Sequence, residues 1–196
     1  MIDLDKVRSN FPSLSLKDEN KNQIIYLDGP GGTQVPSSVI DAISNYYRQS
    51  NSNTHGEFIT SKETDSIMDS MREKVAQLLG AESKECISIG QNMTTLNYSL
   101  SRGLSKIIKK GDEVIITELD HEANRGPWKT LESYGIKLVE VALLQDGTLD
   151  YNDFKNKINK RTALVAMGMS SNALGTINDF NFIKKITAKY SSLLLL

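Results

Sequence analysis

The chain has 196 residues and carries 23 Lys and Arg against 24 Asp and Glu, a balance that gives it no overall pull toward nucleic acid or an acidic membrane surface. That length suffices for one sizeable domain with a real core, or for most of a larger one. Its single cysteine, Cys86, excludes an internal disulfide framework and suits a reducing compartment, and no apolar run approaches the ~20 residues of a membrane span. The opening MIDLDKVRSN is acidic and mixed, unlike a secretory signal, so a cytoplasmic protein is the expectation.

Residues 1–22 read as an amphipathic helix followed by a polar segment. IIYL, at residues 24–27, reads as a strand that closes in the Gly/Pro turn DGPGGTQVP. SSVIDAISNYYRQ has helical spacing. SKETDSIMDSMREKVAQLLG is a long helix that sets Ile67, Met71, Val75 and Leu78 on one face and stops at Gly80. There follow a CISI strand, a MTTLNYSLSRGLSKII helix, an EVIIT strand, an ANRGPWKTLESYG helix and a KLVEVAL strand. A DYNDFKNKI helix, a TALVAM strand, an NDFNFIKKITAKY helix and the terminal LLLL complete the chain.

EVIIT and ALVAM are continuously apolar, which predicts strands buried on both faces. Strands alternating with helices in this rhythm predict an α/β fold with a mainly parallel sheet covered by helices. LLLL is then the opening of one more central strand. In such sheets ligands bind outside the carboxyl ends of the strands, so chemistry is expected just after each apolar run.

Four stretches meet that condition, each with a plain structural alternative. In the 28–36 turn, glycines including Gly31 and Gly32 allow a close backbone approach to a ligand. A dinucleotide fingerprint fails there, because its third glycine falls on Gln34; a tight turn is the simpler reading. QNMTTLN opens a helix whose free N–H groups suit a phosphate, with Asn92, Met93 and Thr94 at the start; ordinary capping is the alternative. His121, in ELDHEANRGPW, sits where a strand gives way to a helix, and the segment is no zinc helix because Arg125 occupies the second histidine position. Asn172, in SSNALGTIN, is a neutral donor at a strand end or the head of an Asx-type turn. Asn53 and His55, in NSNTHGEF, could be plain loop. Cys86 has no basic neighbour to activate it and reads as a small buried apolar residue.

Together these stretches resemble the class V aminotransferase-type enzymes, the cysteine desulfurase and selenocysteine lyase group. YLDGPGGTQVP is similar to that group's YLDNAATT-like segment, NSNTHGEF to NxNxHRG, ITELDHEANRGPW to xxxEHHANxxPW, and MSSNALGTIN to xSNxLGTIN. The resemblance implies residues 23–196 as an incomplete large domain of the aspartate-aminotransferase-like fold (fold type I), using pyridoxal 5′-phosphate (PLP). It implies Asn92, Met93 and Thr94 as the phosphate cradle and His121 as the imidazole stacked on the cofactor ring, with a part in proton movement. Asn172 is implied as the amide on the phenolic oxygen, and Gly31, Gly32, Asn53 and His55 lie on the substrate side. Two departures, GPGG in the first motif and Glu57 after Gly56, bear on substrate identity.

In the group, the strand that LLLL resembles continues into an aspartate that pairs with the pyridine nitrogen. A later strand brings the Schiff-base lysine, and a small domain follows. The expectation is therefore the N-terminal part of a PLP-dependent enzyme acting on an amino acid, inactive alone, working as a homodimer or with a complementing C-terminal half. Lys184, Lys185 and Lys189 are expected on a solvated helix face rather than in catalysis. A non-catalytic α/β remnant or interaction module is the alternative; a Rossmann-like nucleotide-binding domain lacks its glycine signature.

Overall fold

The structure is a computed structural model that describes residues 2–196, which fall into two units, one ending at Ser88 and the other starting at Ile89. The first unit is helical. Helix α1 (Leu4–Arg8) starts at Asp3, whose carboxylate accepts a hydrogen bond from the Lys6 N–H at 3.1 Å, and a 3-10 turn follows at Pro12–Ser15. Helix α2 (Ser37–Gln49) begins directly after Pro36, whose backbone is extended. Helix α3 (Ile59–Leu79) ends as its sequence predicts: Gly80 takes a left-handed φ of 67°, and the Ala81 N–H reaches back to the Ala76 carbonyl at 2.9 Å.

Several expectations fail in this stretch of the chain. Residues 24–27 and 86–89 are not strands, because among the described residues of the unit no ladder exists for them to join; the isolated bridge Lys17↔Gln23 is the nearest approach. Cys86 closes a 3-10 turn, Lys84–Cys86, and is exposed rather than buried. The apolar stripe of α3 is only partly covered: Met71 and Val75 are half-buried, while Ile67 is 49% and Leu78 83% exposed. What α3 buries instead is Ser61, Thr64 and Ala76. The two hydroxyls donate to loop carbonyls, Thr64 to Ser50 at 3.0 Å and Ser61 to Asn53 at 2.7 Å, so their burial is compensated.

The second unit holds the sheet. In chain order it runs α4 (Met93–Leu104), β1 (Glu113–Thr117), α5 (Glu122–Lys129), β2 (Lys137–Val141), α6 (Tyr151–Lys157), β3 (Thr162–Ala166), α7 (Phe180–Lys189) and β4 (Leu193–Leu195). All pairings are parallel and the order across the sheet is β2-β1-β3-β4. The LLLL stretch does form a strand, with Leu194 opposite Val165. Every residue of β1 is buried: Val114, Ile115 and Ile116 as their apolar run predicts, and Glu113 with its carboxylate met by Arg161 and Asn159.

Alternate side chains of β1 and β3 feed two cores, one on each face of the sheet. Val114, Ile116, Leu164 and Ala166 pack with Trp128, Leu131 and Ile136. Ile115, Val165 and Met167 pack with Phe154, Leu149 and Ile183. Two predicted helices are shorter than their patterns: α4 stops at Leu104, and α5 gives way to a 3-10 turn, Thr130–Tyr134, that ends at Gly135 with φ 76°.

Candidate functional site

Strand β1 lies between β2 and β3, so the chain leaves β1 toward one side of the sheet and returns on the other. That reversal opens a crevice at the carboxyl ends of β1 and β3. A cleft of about 280 Å³ occupies this place, and Met93, Asp120, His121, Asn124, Ser170 and Asn172 are among the residues that line it. Three of the sequence candidates, Met93 from the start of α4, His121 from the end of β1 and Asn172 from beyond β3, therefore meet in one cleft of the second unit.

His121 is the N-cap of α5: its Nδ1 accepts a hydrogen bond from the Ala123 N–H at 3.1 Å. With Nδ1 acting as acceptor, the proton of the neutral ring sits on Nε2, which leaves an Nε2–H donor on the ring's open edge. The ring is exposed, held at its inner edge and free at its outer one.

At the start of α4 the plain reading and the functional one divide between side chain and backbone. The Asn92 side chain is spent on capping, its Oδ1 accepting from the Thr95 N–H at 2.9 Å. The Met93 and Thr94 N–H groups, the first two of the helix, have no acceptor among the described residues. They point the positive end of the helix at whatever lies before it. For Asn172 the division falls the other way. The turn after β3 is capped by its neighbour Ser171, whose Oγ accepts from the Ala173 and Leu174 N–H groups at 3.3 and 3.1 Å. Gly175, with φ 73°, completes that turn. The Asn172 amide makes no hydrogen bond among the described residues and is left available to a ligand.

Sequence reasoning missed Asn124. It is buried in α5, and its Oδ1 accepts from the Trp128 Nε1–H at 3.1 Å and from the Asn97 amide at 3.4 Å, which braces α5 against α4. The i, i+4 spacing of Asn124 and Trp128 was the available signal.

Gly31, Gly32, Asn53 and His55 lie in two loops of the first unit. The Gly31 N–H donates to Asp28 Oδ1 at 3.1 Å, and a Cβ on Gly31 would stand 2.5 Å from Asp28 Oδ2, so a side chain there would displace the Asp28 carboxylate from the turn. Gly32 follows at φ 152°. His55 has a left-handed φ of 66°, its N–H bonds the Asp65 carboxylate, and its ring is exposed. The Asn53 carbonyl and the Gly56 N–H both bind Ser61 Oγ, which ties this loop to the first turn of α3. Lys184, Lys185 and Lys189 are exposed on α7, as their pattern predicts.

Comparison with known proteins places this geometry. The family described as aminotransferase class-V matches residues 25–196. The chain is 35% identical over 179 residues to a probable cysteine desulfurase of Vibrio cholerae, covering 90% of this chain and 44% of that one. It is also 35% identical over 178 residues to a cysteine desulfurase of Pectobacterium atrosepticum, again over 44% of the relative. The apo structure of the cysteine desulfurase from Thermococcus onnurineus NA1 superposes with a TM-score of 0.87 at 29% identity, over 99% of this chain and 47% of that one. The chain thus spans about half the length of the curated relatives it matches.

Proposed function

Because this chain belongs to the aminotransferase class-V family, we propose that its cleft is one side of a pyridoxal 5′-phosphate site in a cysteine desulfurase-like enzyme. The observation that carries the reading is the meeting of Met93, His121 and Asn172 in one cleft, together with the unclaimed N–H groups of Met93 and Thr94. The donor set suits the group: two helix-start N–H groups for a dianionic phosphate, a flat imidazole for a flat ring, and a neutral amide for a phenolic oxygen. When bound, the cofactor supplies an electron sink for charge developing at the substrate's α-carbon.

The chain's own residues do the rest of what is proposed here. Met93 and Thr94 hold the phosphate through their backbone, with Asn92 keeping the helix start in shape. His121 stacks on the ring, presents its Nε2–H edge and takes a part in proton movement. Asn172 orients the ring through its oxygen. Gly31, Gly32, Asn53 and His55 belong to the substrate side, and residues 23–196 to the large domain. The substrate is an amino acid, acted on by lyase or transferase chemistry, desulfuration of cysteine being the form the relatives' names suggest. The partner is a second copy or a complementing C-terminal half, the cofactor's remaining contacts coming from the half of the relatives that this chain does not span. The setting is the cytoplasm; among the described residues no helix is long and apolar enough to cross a membrane.

Titration of the 196-residue chain with PLP, followed by the cofactor's absorbance and fluorescence, tests this. Saturable binding is expected, weakened about tenfold or more by His121→Ala or Asn172→Ala, the loss of one good contact each. No saturable binding, alone or mixed with the C-terminal half of a cysteine desulfurase, overturns the reading.

A further inference from the structure

The ladder between β1 and β3 runs only as far as Ile115 opposite Val165. Beyond that point the strands part toward His121 and Asn172, and the paired backbone no longer sets their separation. One carboxylate spans the gap. Asp120 Oδ2 accepts from the Thr117 N–H at 3.0 Å and from the Thr117 hydroxyl at 2.7 Å, while Oδ1 accepts from the Gly168 N–H at 2.6 Å. The other side of Gly168 is held as well. Its carbonyl accepts from the buried Asn178 amide at 2.7 Å, and the Asn178 N–H donates to the Met169 carbonyl at 2.8 Å.

Resting on the reading of the cleft given above, we propose that Asp120, Gly168 and Asn178 form a splint that sets the spacing between His121 and Asn172. Asp120 precedes His121 directly, and Gly168 stands four residues before Asn172, so the tie acts at the roots of both groups. Glycine suits the middle of the splint: a Cβ at position 168 would stand 3.3 Å from Asp120 Oδ1 and 3.4 Å from the Ser170 carbonyl. Asp120 needs both oxygens as acceptors, since three donors converge on them. Asparagine in its place puts an NH₂ group opposite one of those donors and breaks the tie on that side. Asp120 is thus a positioning residue: it acts through His121 and the turn after β3.

Two measurements decide the matter. Backbone hydrogen exchange on the ligand-free 196-residue chain is expected to show the Gly168 amide exchanging about tenfold faster in Asp120→Asn, the opening that follows loss of one charge-assisted bond. The Ile115 and Phe154 amides are expected to keep their protection. Thr117→Val, which removes only the hydroxyl donor, gives a smaller change at the same amide and keeps the test open should Asp120→Asn not fold. The second measurement is PLP affinity in a double-mutant cycle. Asp120→Asn is expected to weaken binding about tenfold in the native background and to add clearly less in a His121→Ala background, where only the hold on Asn172 is left to lose. Unchanged exchange at Gly168, exchange rising equally throughout the core, or additive losses in the cycle would each overturn the splint. If the native chain takes up no PLP, the cofactor reading falls, while Gly168 exchange still decides the splint.

Discussion

Residues 2–88 and residues 89–196 both carry apolar patterns and bury them very differently. In the second stretch the apolar runs become β1 and β3 and line two cores, with Trp128 and Phe154 fully buried. In the first, Ala76 is the one buried apolar residue among those described, while Leu27 is 90% exposed and Ile43, Tyr47 and Leu78 are also exposed. Helices α2 and α3 form nonetheless, because their limits are set locally by Pro36 and Gly80. The difference teaches that local signals suffice to shape a helix but not to give its apolar face a partner.

Substitutions can break or sharpen that contrast. The largest effect is expected for Trp128→Ala, which empties a core site and leaves Asn124 without its indole donor. A loss of about 3–5 kcal/mol is expected in urea unfolding of the second unit. A loss below 1 kcal/mol would mean that this core is no better packed than the first unit. Gly80→Ala puts a Cβ on a left-handed residue and is expected to cost about 1–2 kcal/mol. Amide exchange should show that loss as fraying at the end of α3, with the sheet amides unmoved.

Asp153 tests the second unit by pH. Burial pushes its carboxyl up, but the Lys157 ammonium at 2.6 Å and the Ala142 N–H at 2.8 Å outweigh this and hold it below the usual carboxylate value. A depressed carboxyl stabilises the fold above the ordinary aspartate range, and that stability is lost as pH falls through the lowered value. Asp153→Asn is expected to cost about 1 kcal/mol at neutral pH and to flatten this part of the acid dependence of the urea midpoint. The smallest effect belongs to Leu78→Ser: a stability change within about 0.5 kcal/mol, together with higher solubility. A loss well beyond that in solution would show this face of α3 to be covered, as by a second copy.

Much of the fold was legible in the sequence. The continuous apolar runs marked β1 and β3, Gly80 marked the end of α3, and the strand–helix rhythm marked the parallel sheet. The places after β1 and β3 that carry His121 and Asn172 followed from the same rhythm, because side chains at strand ends converge in any sheet of this kind, whereas Met93 was expected after a strand at 86–89 that does not form. Residues 24–27 and 86–89 misled because a strand pattern states only that a segment would suit a ladder.

By itself, then, the sequence determined which segments are helical, which strands are buried on both faces and where along the chain polar groups reach the strand ends. Tertiary structure alone decided which of those groups gain distant partners. Asp120 is tied to Gly168 and Asn124 to Asn97 across the fold, whereas the caps that consume Asn92 and spare Asn172 are local, Asn92 to Thr95 and Ser171 to Ala173 and Leu174. The physical reason is that periodicity and capping act over a few neighbouring residues. The choice of hydrogen-bond partner and the covering of an apolar face depend on groups far along the chain, whose meeting the fold alone brings about.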